Sequence, residues 1–434
     1  MFDVKKYFNR IKKSKDGRTL VTNFGYLSLL QIAGYIFPLI TMPYLARVIG
    51  VEGFGKIAFA SAVVVWFQTV ADWGFNYTAT RDVAKNRDDK EKVSEIFSNV
   101  LWARCLLMIA SFLLLLLAIF IVPIFRENYA VILVTFLLVP GHIMFPDWFF
   151  QAMERMKYIT ILNLLSKLLF TIAVFVFINN KSDFILQPLF TTLGYIVSGI
   201  ISMYVILHKW KIKIKRPVFA SILSTIKGST DVFINNIMPN LYNSFSIMLL
   251  GFLGGPVSNG LLDAGNRFVN ISQQFMSVIS RTFFPFLSRR IDKHNLYSKL
   301  NIYIAVVISA LLFIVAPFLI KLFFTEEFYN AVTVLRLMSI SIFFLSLSNV
   351  YGTNYMIIQG FEKQLRNITF VSSLIGFAIS FPLIYFFDYI GAALTITITR
   401  GILGIIIAYR AIEIKRNYEL YDNKLSAIQN NKII

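Results

Sequence analysis

The chain has 434 residues, of which 57% are apolar and 15% charged, with 43 phenylalanines and a formal net charge of +19. Its mean hydropathy of +0.66 leaves too little polar surface for water-soluble domains of this length. One cysteine, Cys105, and three scattered histidines, His142, His208 and His294, exclude an internal disulfide and a cysteine or histidine metal site, and no cofactor is expected.

The first 19 residues form a basic tail. The apolar run after it, from about Leu20 to Leu45, is too long for a signal-peptide core and lacks a small-x-small cleavage site, so it reads as an uncleaved first span. A hydrocarbon core of ~30 Å takes about 20 apolar residues as a helix. Runs of that kind fall at 20–45, 57–80, 96–123, 129–152, 158–178, 184–207, 231–253, 261–284, 300–320, 330–358, 366–387 and 390–410, about twelve in all. These lengths suit helices and not barrel strands, which are ~10 residues long with alternating polarity. The expected fold is therefore an all-α integral membrane protein.

The basic residues sit in short blocks between the apolar runs, as in loops that face an anionic leaflet, and not in a nucleic-acid-binding surface. With both termini cytoplasmic, 31 Lys and Arg residues fall on the inner side and 5 on the outer. That bias sets the orientation and supports an even number of spans. The longest basic break, from His208 to Gly228, divides the chain near its midpoint. The expected organisation is a basic cytoplasmic tail (1–19), an N-lobe of helices 1–6 (20–207), a basic cytoplasmic linker (208–230), a C-lobe of helices 7–12 (231–410) and a cytoplasmic tail (411–434). Gln151-Ala-Met-Glu-Arg155 after the fourth span matches Gln359-Gly-Phe-Glu-Lys363 after the tenth, and Tyr129-Ala-Val recurs near Tyr329-Asn-Ala-Val. Duplication explains these matches, as does chance between two membrane hairpins. Two halves of equal orientation suit a transporter with its substrate site between repeats.

Gly50-Val-Glu-Gly-Phe-Gly55-Lys56 has the glycine and lysine spacing of a phosphate-binding loop, but Ile57 stands where Ser or Thr would hold magnesium. It reads as a turn between two spans. No nucleophile–base constellation stands out, and the outward loops are too short for a catalytic domain. The informative residues are charges inside spans: Arg104, Lys167, Arg267, Arg281, Arg336 and Arg400, with Asp72 and Asp147. A charge at mid-bilayer costs ~2.5–3.5 kcal/mol on insertion scales, so such groups face a bundle interior or a wet cavity. Arg104, Arg281, Arg336 and Asp147 lie near helix ends, where snorkelling is the alternative. The basic excess favours an anionic ligand, and guanidinium groups match phosphate oxygens. The candidate substrate-binding residues are Arg267, Arg400, Lys167, Arg281 and Arg336. Asp72 is the candidate for ion coupling. For Arg267, pairing with Asp263 one turn earlier is the structural alternative.

Met42-Pro-Tyr-Leu-Ala-Arg-Val-Ile-Gly-Val-Glu-Gly-Phe-Gly55 followed by Asp72-Trp-Gly-Phe-Asn-Tyr-Thr-Ala-Thr-Arg-Asp82 resembles the first hairpin of bacterial polysaccharide flippases. Pro146-Asp-Trp-Phe-Phe-Gln-Ala-Met-Glu-Arg-Met-Lys-Tyr158, Ser346-Leu-Ser-Asn-Val-Tyr-Gly352 and the turn from Leu250 to Arg267 extend the likeness, which runs from about Thr22 to Tyr409. It is greatest to O-antigen flippases (Wzx type) of the multidrug/oligosaccharidyl-lipid/polysaccharide exporter superfamily. The resemblance implies twelve helices in two six-helix lobes around a central cavity, with alternating access. The implied substrate is an undecaprenyl-pyrophosphate-linked oligosaccharide, moved from the cytoplasmic to the periplasmic leaflet of the bacterial inner membrane. The implied partners are that lipid, the bilayer and other polysaccharide assembly proteins. Two readings compete: a cation-coupled drug antiporter of the same fold, disfavoured by the basic cavity and a first span without a carboxylate, and a polysaccharide polymerase or ligase, disfavoured by the short outward loops.

Overall fold

The computed structural model describes residues 15–430, and every regular element among them is helical. Residues 1–14 of the expected inner tail, and the last four of the expected C-tail, lie outside the described residues. The α-helices are α1 (Lys15–Asp72), α2 (Phe75–Lys85), α3 (Lys90–Ile121), α4 (Pro123–Glu127), α5 (Tyr129–Phe136), α6 (Leu138–Met144), α7 (Asp147–Ala152), α8 (Met156–Phe177), α9 (Leu186–Tyr204), α10 (Phe219–Ile237), α11 (Ser244–Leu253), α12 (Gly255–Arg289), α13 (His294–Phe323), α14 (Ala331–Leu347) and α15 (Glu362–Asn430). They form two compact units, one through Ile237 and one from Met238.

Eight helical stretches among the described residues are long and apolar enough to cross a membrane. Two of them, Leu29–Lys85 (57 residues) and Glu362–Asn417 (56 residues), are more than twice as long as the ~20 residues that one crossing takes. The first breaks at Gly50 (φ 63°) and again at Trp73 and Gly74 (φ 40° and 78°), and the second at Asp388 (φ 52°). The expected spans 231–253 and 261–284 are not among the eight. A 3₁₀ turn at Met238–Leu241 interrupts the first, and α12, which carries the second, is rich in polar side chains. Leu106, Ile109, Leu113, Leu117 and Phe120 on α3, and Val307, Leu311, Ile314 and Phe318 on α13, expose their side chains at helical spacing. Apolar stripes turned outward need lipid around them, so the chain is a multi-pass helical membrane protein.

In the first unit, α3 turns Val93, Phe97, Val100 and Arg104 inward at three- and four-residue spacing. Phe97 packs on Phe149 of α7, with ring centroids 4.9 Å apart. After α9 the chain widens into a π-turn at Val205–Lys209, and the Trp210 ring then meets Phe150 and Tyr158, each at 5.5 Å. The next residues lie along α3. Ser98 Oγ donates to the Lys213 carbonyl (3.2 Å) and accepts from the Lys215 amide (2.8 Å), while Trp102 Nε1 donates to the Lys215 carbonyl (3.0 Å). These bonds satisfy a backbone that has no helix of its own. The segment expected as a linker (208–230) is thus a strap on α3 followed by the start of α10. Helix α10 packs on the turn after α1: Trp73 stacks on Phe233 at 3.9 Å, and the Thr78 and Ser229 hydroxyls lie 2.7 Å apart.

In the second unit, α14 packs against α12, α13 and α15. Small hydroxyl residues line its buried side, among them Ser339, Ser341 and Ser346. Past its end the helix widens to a π-helix over Ser348–Ile357. There Asn354 Nδ2 donates to Ser280 Oγ (2.8 Å) and Tyr297 Oη (2.6 Å), and Ser346 Oγ donates to Asn301 Oδ1 (2.7 Å). Ser346 of the motif Ser346–Gly352 thus ties α14 to α13, and Asn354, two residues past the motif, ties the π-helix to α12 and α13.

The two matched stretches, Gln151–Arg155 and Gln359–Lys363, both end a helix with a six-residue cap. Arg155 N donates to the Phe150 carbonyl (2.9 Å), and Phe361 N to the Met356 carbonyl (2.8 Å). The residues with positive φ in these caps are Glu154 and Gly360. Glu154 thus corresponds to Gly360 by geometry but to Glu362 by letters, so the sequence match is two residues out of structural register.

Candidate functional site

Helix α12 differs from the other long helices in what it carries. Asn259, Asp263, Asn266, Arg267, Asn270, Gln273, Gln274, Ser277 and Arg281 recur at three- and four-residue spacing. At ~100° per residue they fall within one face about 120° wide, and at 1.5 Å per residue the face runs about 33 Å, the thickness of a hydrocarbon core. A polar stripe of that length is unfavourable against lipid and calls for an aqueous path or a polar ligand. The apolar back of the helix supplies its packing. Ala264, Phe268 and Val269 are buried, and Gly265 lets the α14 backbone come close.

A cavity of about 370 Å³ opens on the middle of this face. Asn270, Gln273, Gln274 and Ser277 of α12 line it, with Asn349 from the π-helix opposite and Ile342 and Leu345 of α14 as an apolar floor. Gln273 Nε2 is buried there without a protein partner. None of its lining residues is charged.

The residues expected to bind substrate occupy different settings. Arg267 lies on the α12 face, and its Nε donates to Asp263 Oδ2 at 2.8 Å, so the i,i+4 pair weighed as an alternative is present. Arg281 lies on the same face, 14 residues further on, and is exposed. Arg336 on α14 donates from Nε to the Phe313 carbonyl at 3.3 Å, with its guanidinium 5.4 Å from the Phe313 ring centre. Arg400 on α15 is 6% exposed; its Nη1 donates to Ser341 Oγ (3.0 Å) and its Nη2 to Asn243 Oδ1 (3.1 Å). Tyr242 also hydrogen-bonds it; none of these partners is a carboxylate, and among the described residues Nε has no partner. In the first unit Lys167 is half-buried on α8, with Nζ against Gly34 of α1, where an added Cβ would come within 3.3 Å.

Asp72, the candidate coupling carboxylate, ends α1 and forms an ion pair with Arg104 of α3. The sequence places Arg104 near a helix end, but α3 begins at Lys90 and puts it near mid-helix, 4% exposed and turned inward, so it does not snorkel to the interface. His142 and Asp147 lie within electrostatic reach of this pair, and the His142 ring packs on Tyr195 with centroids 4.4 Å apart. The sequence singled out Asp72 and Arg104 separately but not their partnership, because 32 residues separate them. It also left the amide face of α12 unread, although the three- and four-residue recurrence of Asn and Gln from 259 to 281 signals it. The loop resembling a phosphate-binding motif is a helical turn. Lys56 Nζ pairs with Glu52 at 2.7 Å and sits 5.2 Å from the Phe184 ring centre.

Residues 20–291 match the family described as "Polysaccharide biosynthesis protein". A protein of Escherichia coli (strain K12) named "Putative O-antigen transporter" is 31% identical over 391 residues, which span 88% of this chain and 94% of that protein. Among solved structures, "Lipid II flippase MurJ, inward closed conformation" aligns with a TM-score of 0.70 at 16% identity, over 89% of this chain and 87% of that one. An inward-facing multidrug resistance MATE family transporter of the MOP superfamily aligns at 0.62 with 15% identity, over 86% and 94%. With the lipid-facing helices and the polar face of α12, these likenesses define the class, a multi-span membrane transporter. Within that class the chain belongs to the polysaccharide biosynthesis protein family.

Proposed function

We propose that this protein is a lipid-linked oligosaccharide flippase of the bacterial inner membrane. It carries undecaprenyl-pyrophosphate-linked O-antigen or capsular repeat units from the cytoplasmic to the periplasmic leaflet by alternating access. The observation that carries the reading is the α12 face, a polar track about as long as the hydrocarbon core is thick, with guanidinium groups at Arg267 and Arg281. A pyrophosphate is anionic, and a planar guanidinium accepts it through paired hydrogen bonds. Names support it as well: the bacterial relative is called an O-antigen transporter, and a structural neighbour is a lipid II flippase. Arg267 and Arg281 are the first candidates for pyrophosphate contact. Lys167 offers a further cation in the other unit. Arg267, Arg336 and Arg400 are each engaged by neighbours of their own, and substrate binding at any of them requires those contacts to open or be shared. Asp72 is the candidate coupling group, because a proton or cation taken up there releases Arg104.

The competing reading is a cation-coupled drug antiporter, favoured by the MATE likeness. Basic groups outnumber acidic ones within the expected spans, with Arg104, Lys167, Arg267, Arg281, Arg336 and Arg400 against Asp72, Asp147 and Asp263, which opposes it, since a cationic drug prefers carboxylates. Complementation of a strain lacking its own flippase, scored for surface polysaccharide, tests the proposal. Restored polysaccharide without resistance to cationic dyes supports it; dye resistance without polysaccharide selects the antiporter.

A further inference from the structure

We propose that a cavity between the start of α13 and the distal part of α15 binds the phosphate of an anionic phospholipid from the adjoining leaflet. The cavity has a volume of about 260 Å³, lies wholly in the second unit and shares no residue with the α12 cavity. Tyr351 and Tyr355 of the π-helix line it, with His294 and Asn295 of α13 and Lys415 and Arg416 of α15. Neighbouring contacts hold these groups in place. His294 is buried, its Nε2 donates to the Val350 carbonyl at 3.0 Å, and its ring centre lies 5.7 Å from that of Tyr351 and 5.0 Å from that of Tyr355. Lys415 Nζ donates to Asn295 Oδ1, which ties α15 to α13.

The lining selects the ligand. It holds two cations and no carboxylate, and acids close by in sequence are already engaged, Glu413 by Arg410 (2.6 Å) and Asp292 by Arg290 (3.0 Å). A metal ion or an amine is therefore disfavoured, and an anion is attracted. The Arg416 guanidinium matches phosphate oxygens, and tyrosine hydroxyls can donate to the same oxygens. The volume is below the range of drug-sized ligand pockets, so the cavity seats a small headgroup. What lies beside it favours a lipid over a soluble anion. Leu296, Leu300 and Tyr303 on α13, and Ile412, Tyr409 and Ile405 on α15, are exposed and lead from the cavity along two membrane-crossing helices. Acyl chains cover those rows while the phosphate sits at the cations, as basic residues at a bilayer surface hold anionic headgroups. A soluble phosphate leaves both rows uncovered. The bound lipid bridges α13, the π-helix and α15, whatever cargo the protein carries.

The test uses the full-length protein, purified and delipidated in neutral detergent. It is titrated with phosphatidylglycerol, with phosphatidylethanolamine of the same acyl chains, and with glycerol 3-phosphate. Phosphatidylglycerol is expected to bind about tenfold more tightly than phosphatidylethanolamine, the effect of one charge-assisted contact. Glycerol 3-phosphate, which lacks the chains, should bind about a hundredfold more weakly than phosphatidylglycerol. Lys415→Gln with Arg416→Gln, at half-buried and exposed positions, should erase the preference and leave affinity for phosphatidylethanolamine within about twofold. Lys213→Gln with Arg216→Gln, a matched exposed pair in the first unit, should leave the preference intact. Equal losses in the two double variants would assign the preference to general surface charge and overturn the site. Equal binding of the two phospholipids by the wild type would do the same. Glycerol 3-phosphate that binds as tightly as phosphatidylglycerol would make the cavity a site for soluble phosphate. Undecaprenyl pyrophosphate that displaces phosphatidylglycerol from the wild type at equal concentration, but not from the Lys213 and Arg216 control alone, would assign the cavity to cargo and overturn the phospholipid.

Discussion

Arg267 and Asp263 show how one contact supports two roles. Their 2.8 Å pair holds the guanidinium on the polar face of α12, yet a side chain on that face also meets whatever passes along it. Arg267→Ala should abolish most export while the protein reaches the membrane at normal levels. Arg267→Lys keeps the charge but not the planar fork, and should retain part of it. In the charge-swapped double variant, Asp263→Arg with Arg267→Asp, continued loss at normal expression supports ligand binding, whereas restored export assigns the arginine to the pair alone. Asp72 and Arg104 pose a sharper case because the arginine is buried. Removing one partner of a buried pair strands the other, so Asp72→Asn should lower stability by about 3 kcal/mol, measured as unfolding in detergent. Adding Arg104→Met should recover most of that loss. A recovered double variant that exports normally makes the pair structural; one that is stable but inactive makes Asp72 a coupling group.

At the level of elements, turns decide where helices end and what may pack on them. Gly74 opens α2 at φ 78°, and a Cβ there would approach Val232 Cγ1 of α10 to 2.7 Å. Gly74→Ala should therefore cost about 1–3 kcal/mol, from a left-handed backbone and a clash together. Thermal unfolding checks it, and adding Val232→Ala should restore only the part due to the clash. The turn at Gly50–Lys56 makes a contrasting prediction. Its Lys56–Glu52 pair is an exposed i,i+4 contact that contributes about 0.5 kcal/mol or less. Lys56→Ala should leave export intact in the complementation assay; lost export with lost nucleotide binding would overturn the reading of that turn. Helix α12 is where a scan for apolar runs is least informative. Composition alone sets it apart from a span, and only the angular spacing of its polar residues reveals a continuous face.

For the whole molecule, the charge asymmetry makes a prediction independent of any site. Lys90 and Lys213 should be cytoplasmic, and Glu127 and Glu326 periplasmic. Single cysteines at these positions in a Cys105→Ser background can be probed in intact cells with an impermeant thiol reagent. Labelling at Glu127 and Glu326 but not at Lys90 or Lys213 is the expected result, and labelling at Lys213 overturns the twelve-span topology. Position 213 suits the test because its side chain is exposed while its backbone is tied to Ser94 and Ser98.

Helical membrane class and the presence of charges within spans were legible in the sequence, because hydropathy and charge are summed locally, a bilayer leaves the backbone only helices or closed barrels, and runs of about 20 residues fit helices. Motifs such as Met42–Gly55 and Asp72–Asp82 carried the family. Tertiary structure decided which charges are taken: Arg104 by Asp72, Arg336 by Phe313, Arg400 by Ser341 and Asn243. It also laid the start of the expected linker along α3 and brought Asn349 to the same cavity as Gln273. These outcomes depend on residues tens of positions apart meeting across helix faces, and no local sum of side-chain properties contains that geometry.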